Sequence, residues 1–175
     1  MEISSFLLLI PFLLIRFGLL AFISKDAVQR AAHFAPMYGN ELVAYLFYQI
    51  SNLSIFVYLI FLKIKTDNMV CFGFGIGLYL LGIFLCAVSI VHFSFPSDEG
   101  LNINGIYHFS RNPMYIAYFI CFIGMAVLSS SWVLLGIVLI FQISAHWIIL
   151  AEERECIEKF GDSYLRYMKE VRRYI

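Results

Sequence analysis

Bilayer-length apolar runs constrain this chain more than any other feature. Ile3–Ile23, Glu41–Leu62 and Met69–Val91 are each predominantly apolar, and each is about the twenty residues a helix needs to cross a hydrocarbon layer. In lipid the backbone has no water to bond, so such runs become helices. Ile3–Ile23 is too long for the apolar core of a signal peptide, and it lacks a basic start and a clear cleavage site, so it is expected to remain a membrane helix. A fourth apolar stretch, Pro113–Leu150, is too long for one crossing and is interrupted by Ser129-Ser130-Ser131. It reads as a helical hairpin, Pro113–Leu128 and Trp132–Leu150. The fold class expected is therefore an all-α integral membrane protein with five transmembrane helices, a C-terminal helical hairpin and an amphipathic tail. Residues 1–91 hold three spans; residues 92–175 hold a polar loop, the hairpin and the tail.

Composition agrees. Apolar residues make up 62% of the 175 and charged residues 14%, a balance outside the range of soluble domains of this size. The zero net charge gives no argument for a nucleic-acid partner. Cys71, Cys86, Cys121 and Cys156 are scattered and no two have metal-ligand spacing, so they read as buried small hydrophobes rather than a disulfide framework or a metal site. Gly73-Phe-Gly75-Ile-Gly77 lies inside an apolar run with no strand before it, so a nucleotide loop is a poor reading. Gly73 and Gly77 are expected to permit close helix packing, and Gln49, Ser51 and Asn52 to bond between helices. Arg16, inside the first span, has two readings: a snorkelling or paired cation, or a contact to a cofactor or lipid headgroup.

The loop that leads into the hairpin carries the chemistry. In Gly105-Ile-Tyr-His-Phe-Ser-Arg-Asn-Pro-Met-Tyr115, Asn112 suits an N-cap and Pro113 suits the first helical position. The helix start offers unpaired N–H groups and partial positive charge. Arg111 adds a full charge, so a carboxylate or phosphate would be welcome there. At about 1.5 Å per residue, Pro113–Ser129 climbs roughly 24 Å and Trp132–Glu152 descends roughly 30 Å. The hairpin should thus return Glu152 and Glu153 to the level of Arg111. Ala151–Phe160 continues as a charged helix, Gly161 ends it, and a further short helix carries Tyr164, Tyr167 and Val171. With Tyr174 and the basic residues Arg166, Lys169, Arg172 and Arg173, that tail is expected to lie on lipid headgroups. Nine Lys and Arg fall on the side of Arg111 and the tail, against Lys63 and Lys65 on the other, so the positive-inside rule puts the loop and the C-terminus in the cytoplasm.

A site with His108 and Arg111, two carboxylates and the aromatics Tyr107 and Tyr115 suits a zwitterionic amino-acid group such as that of S-adenosylmethionine. A nucleotide, a phospholipid headgroup or a structural ion pair would fit the same residues.

GIYHFSRNPMY, a helical hairpin and AEERECIEKFGDSYLRYMKEVRRYI, in that order, resemble the membrane methyltransferases related to isoprenylcysteine carboxyl methyltransferase and phospholipid methyltransferase. The resemblance covers roughly the last eighty residues; the first ninety match only as generic membrane helices. It implies one membrane methyltransferase domain over residues 1–175, with S-adenosylmethionine as cofactor and a lipophilic or lipid acceptor entering from the bilayer. Tyr107 matches the loop tyrosine, and Asn112, Pro113, Met114 and Tyr115 match a cofactor-binding His-Pro-x-Tyr segment. Glu152 matches a cofactor-contacting glutamate, with Glu153 its neighbour. Glu99, Gly100, Leu101 and Asn102 fall where the family loop wraps the cofactor, and His92 occupies the polar exit of the preceding helix. His108 joins this cofactor set. Arg111 would hold the methionine carboxylate or an acceptor anion. Glu153 or His108 would keep an amine acceptor neutral, so Arg111 and Glu153 are the expected catalytic pair. Two positions depart from the pattern. Asn112 stands for the usual histidine and cannot titrate, and Ile148 stands where isoprenylcysteine enzymes carry an arginine, which argues against a prenylcysteine substrate. The rival reading is a non-catalytic five-span adaptor or small transporter that keeps the fold.

Overall fold

The computed structural model describes residues 3–175 and is helical throughout apart from turns and one isolated bridge between Ser4 and Lys63. The helices are α1 (Ser5–Ile23), α2 (Lys25–Ala32), α3 (Asn40–Phe61), α4 (Met69–Ser94), α5 (Pro113–Leu128), α6 (Trp132–Phe160) and α7 (Asp162–Glu170). Four of them, α1, α3, α4 and α6, are long and apolar enough to cross a membrane; α5 is a shorter apolar helix. The chain is thus an integral membrane protein with four membrane-length helices where sequence suggested five.

The local signals explain most boundaries. Asn68 caps α4 by accepting from the N–H groups of Val70 and Cys71, and Ser131 caps α6 by accepting from Leu134. The chain turns through Ser130 with φ of 46°, so the three serines do end one rod and begin the next. Gly161, at φ 54°, ends α6, and α7 starts directly after it. Ser24 caps an eight-residue helix, α2, in the polar stretch between the first two long helices.

α1 is not uniform. Ser5–Leu8 is a 3-10 turn, Pro11 sits in the short α segment after it, and Leu14–Leu19 is a π-helical stretch. A regular α-helix has 3.6 residues per turn, so positions four apart drift around it. The wider π turn takes up that drift. Phe12 and Leu20 are buried, and Arg16, midway between them, faces inward as well.

The interior is aromatic at its centre. Phe12 packs on Tyr118 and Phe122 at 5.4 and 5.0 Å between ring centres, and Phe141 contacts both Phe122 and Tyr48. α3 buries Ala44, Tyr48, Ser51, Ile55 and Leu59, a helical stripe, and turns Leu42, Leu46, Phe47, Ile50 and Leu53 outward. An outward face this apolar suits lipid, not water.

α4 and α5 pack most closely, and glycines set their separation. A Cβ on Gly82 would lie 2.4 Å from the Cys121 backbone nitrogen, and one on Gly124 would lie 2.5 Å from that of Tyr79. Gly73 and Gly77 have nothing within 4 Å of such a Cβ, which corrects the expectation that they form the packing pair: they lie on the other side of the same helix. Gln49 and Ser51 bond within α3, to the Tyr45 hydroxyl and the Tyr48 carbonyl, rather than between helices. Cys86 and Cys121 are buried as expected, whereas Cys71 is exposed on the outer face of α4.

The tail differs most. Tyr164, Tyr167 and Val171 bury against Leu101, and the Tyr167 hydroxyl donates to the Tyr107 carbonyl at 2.6 Å. Tyr174 bonds His146 at 2.7 Å. α7 therefore folds back over the loop before α5 instead of presenting its tyrosines to headgroups. Arg166, Lys169 and Arg172 remain exposed.

Candidate active site

A cavity of about 630 Å³ lies at the end of the bundle where α1 gives way to α2, α4 to the polar loop, and α6 to its charged extension. Its size is in the range of small-molecule pockets. One wall is the loop and the start of α5: Gly100, Leu101, Asn102, Tyr107, Asn112, Met114 and Tyr115. The opposite wall is α6, with Glu152, Glu155, Cys156, Lys159 and Phe160. Arg16 and Tyr118 reach it from the membrane interior, and Gln29, Arg30, Ala31, His33 and Phe34 roof it.

The hairpin does return the acidic pair to the start of α5, and the two glutamates then part company. Glu153 is buried. Its Oε1 accepts two N–H bonds from Arg111, at 3.0 and 2.7 Å, and its Oε2 accepts two from Arg173, also at 3.0 and 2.7 Å. Arg111 is further fixed on the carbonyls of Met168 and Val171, at 3.1 and 2.6 Å. These partners engage the guanidinium on the tail side, and Arg111 and Glu153 both also border the cavity. The Glu153 carboxylate, hydrogen-bonded to Arg173, raises that arginine's already high pKa further. Glu152 has a different setting. It faces the cavity, and the Tyr115 hydroxyl donates to its Oε1 at 2.9 Å.

The loop is held by close approach and by unusual backbone. Gly105 has φ of 60°, and a Cβ there would lie 2.3 Å from the His92 ring. The Ile106 N–H points to His92 Nδ1 at 3.5 Å. His92 thus packs beneath the loop and does not line the cavity. Glu99 and His108 are exposed and also lie off its walls. Pro113 is buried and begins α5. Asn112 is at the N-cap position, but its side chain makes no capping bond; its amide donates to the Arg173 carbonyl at 3.1 Å. The Asn102 Oδ1 is buried with no hydrogen-bond partner. Burial pushes the Tyr107 hydroxyl far above its ordinary pKa and lowers that of Arg30. Ile148, buried, lies in the core.

The roof was not foreseen. Arg30 donates to the Phe93 carbonyl at 2.9 Å and lies over the Phe93 ring, His33 meets Glu155 at 2.8 Å, and Arg154, paired with Glu41 at the start of α3, donates to the Pro36 carbonyl at 2.7 Å. These bonds tie α2 and the following loop across α4 and α6. The sequence signal was available: Ser24 precedes an amphipathic octet with Asp26 in its first turn, a helix start.

Four membrane-length helices and a ligand-sized cavity, mostly apolar with a few charged side chains, at one end of the bundle define a membrane protein with a pocket of small-molecule size. The family model described as phospholipid methyltransferase matches residues 69–163, more than half of the chain, and the chain belongs to that family. The match runs from α4 through the loop, α5 and α6. Membership implies a methyltransferase, with a membrane lipid as the class of acceptor. No curated protein matches the chain.

Proposed function

We propose that this protein is an S-adenosylmethionine-dependent methyltransferase acting on a lipophilic acceptor held in the bilayer, with its active site and C-terminus on the cytoplasmic side. The observation that carries the reading is the family-matched wall of the cavity: the Gly100–Asn102 loop, Asn112–Tyr115 and Glu152 enclose one space. The residues present fit the donor. Glu152 and the unpartnered Asn102 Oδ1 are acceptors for its ammonium and hydroxyl groups, and Tyr115 and Phe160 offer aromatic surface for its base.

When bound, S-adenosylmethionine supplies a methyl group on a positively charged sulfur, open to displacement by a nucleophile. The protein's contribution is placement and exclusion of water. α2 and the loop after it cover part of the cavity's mouth. Tyr115 fixes the Glu152 carboxylate in one rotamer. Glu152 has no cation within ion-pair distance among the described residues, so it can meet a cationic ligand group, or take a proton from an amine acceptor. Arg111, Glu153 and Arg173 serve as positioning residues that lock the tail over the loop.

Calorimetry of the purified chain with S-adenosylhomocysteine tests this reading. Wild type should bind it, and Glu152→Gln should bind at least ten-fold more weakly. No heat for wild type, or equal affinity for both proteins, would overturn the assignment. Tritiated methyl donor followed by lipid extraction would then identify the acceptor.

A further inference from the structure

Arg16 differs from its fellow arginines around the site. Arg111 and Arg173 bind Glu153, Arg154 binds Glu41, and Arg30 donates to a carbonyl at 2.9 Å. Arg16 has no carboxylate within ion-pair distance among the described residues. Its one hydrogen bond is a 3.5 Å contact to the Ala31 carbonyl, at the limit of what counts as a bond. Its other contacts are the rings of Tyr118 and Phe17, at 5.5 and 5.6 Å. It lies eight residues before Ser24, roughly 12 Å down the helix from that end. A guanidinium at such depth is costly unless something pairs with it. The fold directs it to the cavity: the π-helical stretch Leu14–Leu19 keeps Arg16 on the inward line of Phe12 and Leu20.

We propose that Arg16 is the receptor for an acidic group, phosphate or carboxylate, on the membrane-borne acceptor. The proposal rests on the methyltransferase reading and adds the chemical class of the second substrate. A guanidinium suits either oxyanion, through paired N–H donors. The acceptor, rather than the methyl donor, is favoured by position. The donor's ammonium, hydroxyl groups and base have partners in Glu152, Asn102, Tyr115 and Phe160, all within the family match, while Arg16 comes from α1, outside it. Beside Arg16 on α1, Leu14 and Phe17 are largely exposed on the lipid side. An acidic amphiphile entering from the bilayer would therefore meet Arg16 at the cavity's inner edge, with its tail remaining in lipid.

The test uses the full chain in a neutral maltoside detergent, titrated with dodecyl phosphate, dodecanoate, dodecanol and inorganic phosphate. Wild type should bind the two alkyl anions at least ten-fold more tightly than dodecanol, and inorganic phosphate should not bind in that range. In Arg16→Gln the preference for the anions should fall to two-fold or less, with S-adenosylhomocysteine affinity within two-fold of wild type and no loss of thermal stability. Arg16→Lys, which keeps the charge but not the paired donors, should retain part of the preference. Equal binding of dodecanol and the anions by wild type would overturn the proposal. So would a full anion preference in Arg16→Gln, inorganic phosphate binding as tightly as dodecyl phosphate, or a ten-fold loss of S-adenosylhomocysteine in Arg16→Gln. If S-adenosylhomocysteine fails to bind wild type, the proposed donor falls while the alkyl-anion comparison still decides the role of Arg16.

Discussion

Removing the Glu153 carboxylate should unfasten the tail without emptying the cavity of its ligand groups. The side chains of Glu153 and Arg111 are 5% and 7% exposed, and that of Arg173 is 32% exposed. Breaking a buried pair by removing one partner costs about 3–5 kcal/mol, because the other charge stays behind without compensation. The Arg173 contact, exposed on one side only, adds about 1 kcal/mol or less. Glu153→Gln leaves two guanidinium groups facing a neutral amide, so the loss should be about 3 kcal/mol or more. For a domain of this size each kcal/mol lowers the melting temperature by about 2–4 °C, which puts the expected fall on the order of 10 °C. The assay is thermal unfolding in detergent, run beside calorimetry with S-adenosylhomocysteine at a temperature where the variant is still folded. Arg111→Ala should match Glu153→Gln in stability, since it empties the same pair, and Arg173→Ala should cost much less. A Glu153→Gln protein that melts within 2 °C of wild type yet has lost its ligand affinity would refute this reasoning and move Glu153 from the frame of the site to its chemistry.

The Tyr115–Glu152 bond and the close approach of α4 and α5 can be probed in the same way. Tyr115→Phe removes the donor to Glu152 and should weaken S-adenosylhomocysteine binding several-fold by calorimetry, with a stability loss of about 1 kcal/mol. Gly82→Ala forces a Cβ into the Cys121 backbone and should lower the melting temperature by the equivalent of about 1–3 kcal/mol or more, whereas Gly77→Ala, with open space around it, should be neutral or slightly stabilising; equal shifts in the two variants would contradict the packing described for α4 and α5.

Much of the architecture was legible in the chain. Apolar run length fixed the helices, the three serines fixed the hairpin turn, and Gly161 fixed the break before α7, because each acts through local backbone chemistry. The return of the acidic pair to Arg111 followed from helix rise alone. The fate of the tail did not. An amphipathic segment with tyrosines has the same periodicity whether its apolar face meets lipid or protein, and here Tyr164 and Tyr167 pack on Leu101. The helix start of α2 is legible in Ser24 and Asp26, but its place over the cavity depends on distant bonds such as that from Arg30 to the Phe93 carbonyl.

The amino-acid order by itself determined where rods begin and end, that they belong in lipid, and that two acids would come back beside a proline-started helix. Only the packed molecule decided which way each rod is turned about its axis. Glu152 and Glu153 are neighbours in sequence but stand about 100° apart around α6. That rotation sends one carboxylate into the cavity and the other onto the arginines of the loop and tail. It is set by the side chains α6 buries against the neighbouring helices, which no local signal in the chain encodes.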